Sequence, residues 1–118
     1  MNSARVLVNC APALRTVAMR KFSAHPLAGL LGRLNHVAII TPDIEKSRQF
    51  YIGLGANVSE SKAVPEWGVK TAFVELPNTK IEFVFPYEDS SPVMPWLKEH
   101  KGGGLHHICI EVEDIHKV

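Results

Sequence analysis

Residues 34–44 read LNHVAIITPDI, and residues 105–115 read LHHICIEVEDI. The two stretches align without a gap at a constant offset of 71 positions, with Leu, His, Ile, Asp and Ile identical. Each contains an apolar, β-branched run followed by an acidic residue that can begin a helix. Strand propensity alone does not explain a histidine at the same place in both stretches. The sequence therefore predicts a duplicated strand-to-helix module.

Short elements separated by turn residues fill the chain between the two stretches. The pattern predicts a strand over 34–41, a helix that begins after Thr41 or Asp43 and ends at Gly53 or Gly55, and a weak strand over 57–62. It further predicts strands over 69–76 and 79–85 joined by Pro77-Asn78 as a hairpin, a short helix within 92–100, and a last strand over 105–112 with Asp114 as a helix cap. This order predicts an α+β fold of paired βαβββ modules in which the second module is incomplete.

Length and composition exclude several classes of protein. The chain has 118 residues, is 46% hydrophobic and 21% charged, and carries a formal charge of +1, which suits one globular domain and argues against disorder or charge-driven nucleic-acid binding. No window approaches the roughly 18 unbroken apolar residues of a membrane-spanning helix. Cys10 and Cys109 are too few and too distant for a disulfide framework or a cysteine zinc site.

The first 42 residues differ in charge from the rest of the chain. They contain five Lys or Arg and no acidic residue, whereas all 12 acidic residues lie from Asp43 onward. This basic, acid-free stretch is typical of a mitochondrial transit peptide, and the alternative is a basic tail with no targeting role. We therefore expect residues 1–31 to be a disordered transit peptide and linker, and residues 32–118 to form the folded domain.

Two histidines and one glutamate are the candidate metal ligands. A two-fold relation between the modules would place His36 and His107 at equivalent positions on facing sheets, with both imidazoles directed at one point. In the hairpin, pairing Leu76 with Thr79 would set Phe73 opposite Glu82, a carboxylate in an otherwise apolar strand that is costly to bury alone. Two imidazoles and a carboxylate suit Zn, Co, Mn or Fe.

Each candidate ligand also has an ordinary structural interpretation. Either histidine could be a satisfied polar strand residue, and Glu82 could face solvent and pair with Lys80 or Lys70. Alternation along the last strand predicts that His106 points away from His107 into solvent. The remaining expectations are exposure for His100 and His116 and burial as a small apolar side chain for Cys109. Trp67 and Trp96 could shape a ligand pocket, and packing is the default role for both.

Several motifs resemble one family. LNHVAI, PDIEKSRQFY, LGANVSE, VELPNTKIEFVFP and LKEHKGGGLHHICIEVEDI resemble the methylmalonyl-CoA epimerases of the vicinal oxygen chelate, or glyoxalase-like, superfamily. The resemblance covers residues 30–118, and GGGLHHICIEVEDI is its most specific part. It implies that His36 and His107 are metal ligands and that Glu82 occupies the place of a third ligand, which is Gln in the bacterial epimerase.

The resemblance also implies a reaction. A divalent metal ion (Co, Zn, Mn or similar) would stabilise an enolate while proton transfer interconverts (R)- and (S)-methylmalonyl-CoA in the mitochondrial matrix. The expected partner is this acyl-CoA, with no other cofactor, no nucleic acid and no membrane, and a homodimer is compatible with the family. A catalytic residue of the family's third strand has no secure counterpart, although Thr71 and Glu75 lie there. Another family base would fall near position 153, beyond Val118.

Two other interpretations stay open at this point. The chain could be a truncated isoform or fragment without catalytic activity, or another glyoxalase-like metalloenzyme, such as a lyase or dioxygenase.

Overall fold

The computed structural model describes His25 and residues 28–117, and within them six strands form one mixed sheet. The strands are β1 (Leu31–Ile40), β2 (Asn57–Val58), β3 (Lys62–Val64), β4 (Val69–Glu75), β5 (Lys80–Pro86) and β6 (Gly104–Val112). The α-helices are α1 (Ile44–Gly53) and α2 (Met94–Glu99), and short 3-10 turns cover Ala28–Leu30, Pro65–Trp67 and Ile115–Lys117. The sheet order is β2-β4-β5-β1-β6, with β3 also on β4. The predicted α+β class and element order are confirmed.

Residues 34–109 form one packing unit, and the chain on either side forms a second. In the second unit, the Glu113 N–H donates to the Leu30 carbonyl at 2.8 Å. Asp114 accepts from the His116 N–H at 2.9 Å and so begins a 3-10 turn. The predicted transit peptide falls on residues 1–31, of which only His25 and residues 28–31 lie within the described part of the chain. None of the described helices is long and apolar enough to span a membrane.

The β4–β5 hairpin has the predicted register. The Leu76 N–H donates to the Thr79 carbonyl at 2.9 Å, and Phe73 lies opposite Glu82. On its other edge β5 runs parallel to β1, with Ala38 beside Glu82. Glu82 therefore lies on the central strand of the sheet, between a neighbour on each side.

The expectation that His36 and His107 lie on facing sheets is wrong. Their strands, β1 and β6, are neighbours in a single sheet. The backbone groups along the open edge of β1 require hydrogen-bond partners, and β6 supplies them from the adjacent position. The two histidines therefore meet across adjacent strands.

The sheet buries apolar side chains on both faces. One face packs under α1 through Ile44, Ala72, Val74 and Phe83. The other face carries Ala38, Ile40, Val69 and Val84, against which Val93, Trp96 and Leu97 are partly buried. Because side chains alternate along a strand, this second face is also the one that His36 and Glu82 share.

Helix α1 begins and ends at predicted residues. Of the two candidate caps, Asp43 caps the helix, since its Oδ1 accepts the Lys46 N–H at 3.0 Å. The helix ends at Gly53, and Gly55 follows with a positive φ of 82°. A cap of this type stabilises a helix by about 1 kcal/mol.

The weak strand predicted over 57–62 is two short strands, β2 and β3, both on β4. The break occurs at Ser59, where the side chain replaces part of the ladder: the Phe73 N–H donates to Ser59 Oγ at 2.8 Å. Arg48 of α1 fixes the same segment, because its buried guanidinium donates to the Ser59 carbonyl at 2.8 Å and pairs with Glu45 at 2.7 Å.

Candidate metal centre

Three side chains from three adjacent strands converge on one face of the sheet. His36 comes from β1, Glu82 from β5 and His107 from β6. His36 Nε2 lies 3.3 Å from Glu82 Oε1, His107 Nε2 lies 3.9 Å from the same oxygen, and the two Nε2 atoms are 3.4 Å apart. Among the described residues, this is the group of His, Cys, Asp and Glu side chains with the spacing of a metal site.

The distances suit a shared ion. Nitrogen and oxygen ligands lie about 2.0–2.2 Å from a bound Zn²⁺, so two ligands at tetrahedral or octahedral angles are about 2.8–3.6 Å apart. The separations of His36 from Glu82 and from His107 fall in or near that range. The longer separation involves His107, whose side chain is 44% exposed, against 16% for His36 and 12% for Glu82.

The donor chemistry fits a divalent ion as well. Two neutral imidazoles and one carboxylate form a borderline donor set with one negative charge, which suits Zn, Co, Mn or Fe. Three protein ligands also leave coordination positions open for a substrate, as in catalytic sites. The residues present therefore fit the group that the sequence predicts.

The outward nitrogen of each ring has its own partner. His36 Nδ1 is 2.8 Å from Asn35 Oδ1, and His107 Nδ1 is 2.8 Å from His106 Nδ1. The His36 ring also lies edge-on to Phe73, with centroids 6.1 Å apart. These contacts leave both Nε2 atoms directed at Glu82.

A cavity of about 320 Å³ opens beside two of the candidate ligands, Glu82 and His107. Its apolar wall comes mainly from Trp67, Val69, Val84, Pro92 and Val93, and its polar groups come from Glu66, Thr71, Glu82, His106 and His107. A cavity of this size and largely apolar lining can hold a small organic ligand next to these two side chains. Of the two β4 residues that the sequence left open, Thr71 lines the cavity, whereas Glu75 is exposed and is not part of its wall.

His106 does not point away from His107 as expected. It is exposed, as predicted, yet its ring contacts His107 and lies edge-on to Trp96 with centroids 6.2 Å apart. Alternation fixes the direction of the Cβ atoms along a strand, whereas the position of a ring nitrogen also depends on the side-chain rotamer. Partial desolvation lowers the pKa of His106 below the ordinary imidazole value, with a further lowering from His107 and an opposing effect of Glu82.

Other predictions for single residues had mixed outcomes. His100 and His116 are exposed as expected, and Trp96 packs against the core while stacking on His100 at 4.2 Å. Cys109 is half-buried rather than buried. Trp67 is 65% exposed and lines the cavity, so it has the pocket role that the sequence left open for it rather than the default packing role. Sequence reasoning also missed Glu66, which no motif marked.

An α+β sheet with two repeat-related histidines and a carboxylate on one face defines a protein of the glyoxalase-like class. A family model described as the Glyoxalase/Bleomycin resistance protein/Dioxygenase superfamily matches residues 35–118. That match includes all three candidate ligands. The chain belongs to this superfamily.

Within the superfamily the chain is similar to methylmalonyl-CoA epimerases. It is 53% identical over 97 residues to the mitochondrial methylmalonyl-CoA epimerase of Bos taurus, covering 79% of this chain and 55% of the bovine protein. It is 55% identical over 86 residues to the corresponding protein of Homo sapiens, covering 72% and 49%. A solved structure of the Streptomyces coelicolor methylmalonyl-CoA epimerase in complex with 2-nitronate-propionyl-CoA superposes with a TM-score of 0.65 at 26% identity, covering 74% and 66%. The chain spans about half the length of these mammalian relatives.

Proposed function

We propose that this chain carries the metal-binding part of a methylmalonyl-CoA epimerase and that His36, Glu82 and His107 hold its divalent ion. The observation that carries the proposal is the convergence of three donor atoms, with separations of 3.3, 3.4 and 3.9 Å, beside a largely apolar cavity. The similarity to epimerases at about half identity supports the choice of reaction.

The reaction inverts a carbon that lies between a thioester and a carboxylate, so the α-proton must leave and a proton must return to the opposite face. When bound, a divalent ion would supply positive charge that stabilises the negative charge developing on substrate oxygen. Neutral imidazoles at His36 and His107 hold their positions without competing for that proton. The valines on the cavity wall lower the polarity of that side of the site, which strengthens the charge interactions there.

We assign neither Thr71 nor Glu75 of β4 as the group that transfers the α-proton. Thr71 reaches the cavity, but an alcohol is a weak base, and Glu75 lies outside the cavity wall. Besides Glu82, the carboxylate on the wall is Glu66, which is exposed. Because Glu66 lines the same cavity as Glu82 and His107, it is the first carboxylate to test for proton transfer.

Solvent deuterium exchange tests the proposal directly. We expect the Co²⁺-loaded chain, incubated with methylmalonyl-CoA in D₂O, to incorporate one deuterium at the α-carbon, as measured by mass spectrometry. His36→Ala and His107→Ala should abolish both Co²⁺ binding and exchange. His100→Ala is the matched control, since His100 is exposed and contacts Trp96 rather than the cluster.

The outcomes separate the parts of the proposal. Exchange that persists in both ligand variants would overturn the role of the metal. A chain that binds Co²⁺ through both histidines but exchanges no proton would overturn the epimerase assignment for this chain and leave the metal site intact.

The donor set favours one second candidate. Two histidines and one carboxylate with open positions also form the site of non-haem iron oxygenases. This function predicts oxygen consumption by the Fe²⁺-loaded chain with a catechol substrate, whereas the epimerase predicts deuterium exchange without oxygen uptake.

We also propose a mitochondrial location, which rests on the basic, acid-free residues 1–31 and on relatives that are named mitochondrial. Fusing residues 1–31 to a fluorescent protein should direct it to mitochondria, and replacing the arginines among them with glutamine should leave it in the cytosol.

A further inference from the structure

The residue before each candidate ligand repeats the same contact in both copies of the module. Asn35 Oδ1 lies 2.8 Å from His36 Nδ1, and His106 Nδ1 lies 2.8 Å from His107 Nδ1. Asn35 and His106 occupy equivalent positions in the two stretches, 71 residues apart. Different side chains thus reach the same ring atom from the same place.

We propose that Asn35 and His106 are positioning residues, each accepting a hydrogen bond from the Nδ1–H of the histidine that follows and so presenting its Nε2 lone pair to the ion. The proposal rests on the proposed metal site and assigns two residues outside the ligand set. β1 then contributes the acceptor Asn35 and the candidate ligand His36, and β6 contributes the acceptor His106 and the candidate ligand His107.

The reason lies in the single ring proton of a neutral imidazole. If that proton is on Nε2, the nitrogen donates to Glu82, which is 3.3 Å from His36 Nε2, and the ligand position is blocked. An acceptor at Nδ1 draws the proton to the outer side of the ring and leaves Nε2 bare. Partners of this kind fix the tautomer and the ring orientation of metal-bound histidines.

The surrounding structure holds the His36 ring more firmly than the His107 ring. The His36 ring is 16% exposed and also packs edge-on against Phe73, so β4 holds it in place even without Asn35. The His107 ring is 44% exposed and lies on the terminal strand of the described sheet. His106 is itself held edge-on to Trp96. Loss of His106 should therefore weaken metal binding more than loss of Asn35.

The test is Co²⁺ affinity, measured by calorimetry and by the visible absorption of the bound ion. Loss of a hydrogen-bonded partner of a ligand lowers metal affinity by about 10- to 100-fold. We expect Asn35→Ala near the lower end and His106→Ala near the upper end. His106→Asn restores an amide oxygen at the equivalent position of β6, as Asn35 provides on β1, and should bind within about threefold of the parent, since the acceptor is retained.

A second measurement, by nuclear magnetic resonance, detects the Nδ1 proton of each candidate ligand. In the ¹⁵N-labelled, Zn²⁺-loaded chain we expect two ring Nδ1–H signals protected from exchange with water, one of which disappears in each alanine variant. His100→Ala is the control and should retain both. Far-ultraviolet circular dichroism of the metal-free variants confirms that each remains folded, and the His106→Asn variant keeps the test decisive if an alanine variant does not fold.

Failure of the inference differs from failure of the metal site. If the parent chain binds no Co²⁺, the site itself is overturned, and the positioning pair with it. If the parent binds Co²⁺ and both alanine variants bind it equally well with both ring signals retained, the positioning pair alone is overturned. Weak binding by His106→Asn, at the level of His106→Ala, would also contradict the acceptor role.

Discussion

Replacing Glu82 with leucine distinguishes a metal ligand from a buried side chain that only stabilises the fold. Glu82 lies on the central β5 strand, its side chain is 12% exposed, and Ala38 and Phe73 flank it in the adjacent strands. A carboxylate in this apolar setting is costly to bury unless something compensates its charge. Leucine has a similar volume and no such cost.

The expected size follows from these surroundings. Burying a leucine side chain contributes about 1.5–3 kcal/mol, and the lost contact between Glu82 Oε1 and His36 Nε2, 3.3 Å apart, is worth about 1 kcal/mol at most. Without metal, Glu82→Leu should therefore raise the free energy of unfolding by about 1 kcal/mol. An ion present at 100 times its dissociation constant should stabilise the parent by about 2.7 kcal/mol and the variant far less. The order of stability should then reverse on adding metal.

Urea denaturation at pH 8, where an ordinary imidazole is neutral, measures both states, once with EDTA and once with excess Co²⁺. Glu75→Leu is the control, because this exposed carboxylate lies on the same hairpin outside the cluster, and metal should stabilise it as it does the parent. The reasoning is refuted if Glu82→Leu is less stable than the parent in EDTA, or if Co²⁺ stabilises both equally.

Two further substitutions test how the fold supports the site. Arg48→Met should lower the free energy of unfolding by about 2 kcal/mol, because a buried charged donor to the Ser59 carbonyl is lost. Glu60→Ala is its control and should change the free energy of unfolding by less than about 0.5 kcal/mol, since the Glu60 side chain is 95% exposed. Gly103→Ala should lower the free energy of unfolding by about 2 kcal/mol, because Gly103 has a φ of 80° and an added Cβ would overlap the Ile40 backbone at the end of β1. Gly102→Ala is its control and should leave the stability unchanged, since an added Cβ there meets nothing within 4 Å. Thermal denaturation measures each substitution beside its control. Equal melting temperatures for Arg48→Met and Glu60→Ala, or for Gly103→Ala and Gly102→Ala, would contradict these predictions.

Much of the fold was predictable because local signals and the repeat agree. The Pro77-Asn78 turn set the hairpin register, and with it the position of Glu82 opposite Phe73. The acidic residue after β1 marked the start of α1. The three candidate ligands were found because a histidine recurred at one repeat position and a carboxylate interrupted an apolar strand.

What the sequence could not predict depends on how strands are arranged in space. A repeat relates two segments but does not say whether they face each other or lie side by side, and β1 and β6 are adjacent. The contact between the His106 and His107 rings depends on their side-chain rotamers, which alternation along a strand does not report. Glu66 and Trp67 reach the cavity from a 3-10 turn, where no periodic pattern reports which way a side chain points.

The three ligands are far apart along the chain, at positions 36, 82 and 107. A partly folded chain in which β6 is detached would offer at most two of these candidate ligands, so we expect tight metal binding only after residues 34–109 have folded together. An ion bound by these candidate ligands would link β5, β1 and β6. Removing the ion with a chelator should therefore affect β6 first, and amide hydrogen exchange should become faster over residues 104–109 while β4 and β5 stay protected.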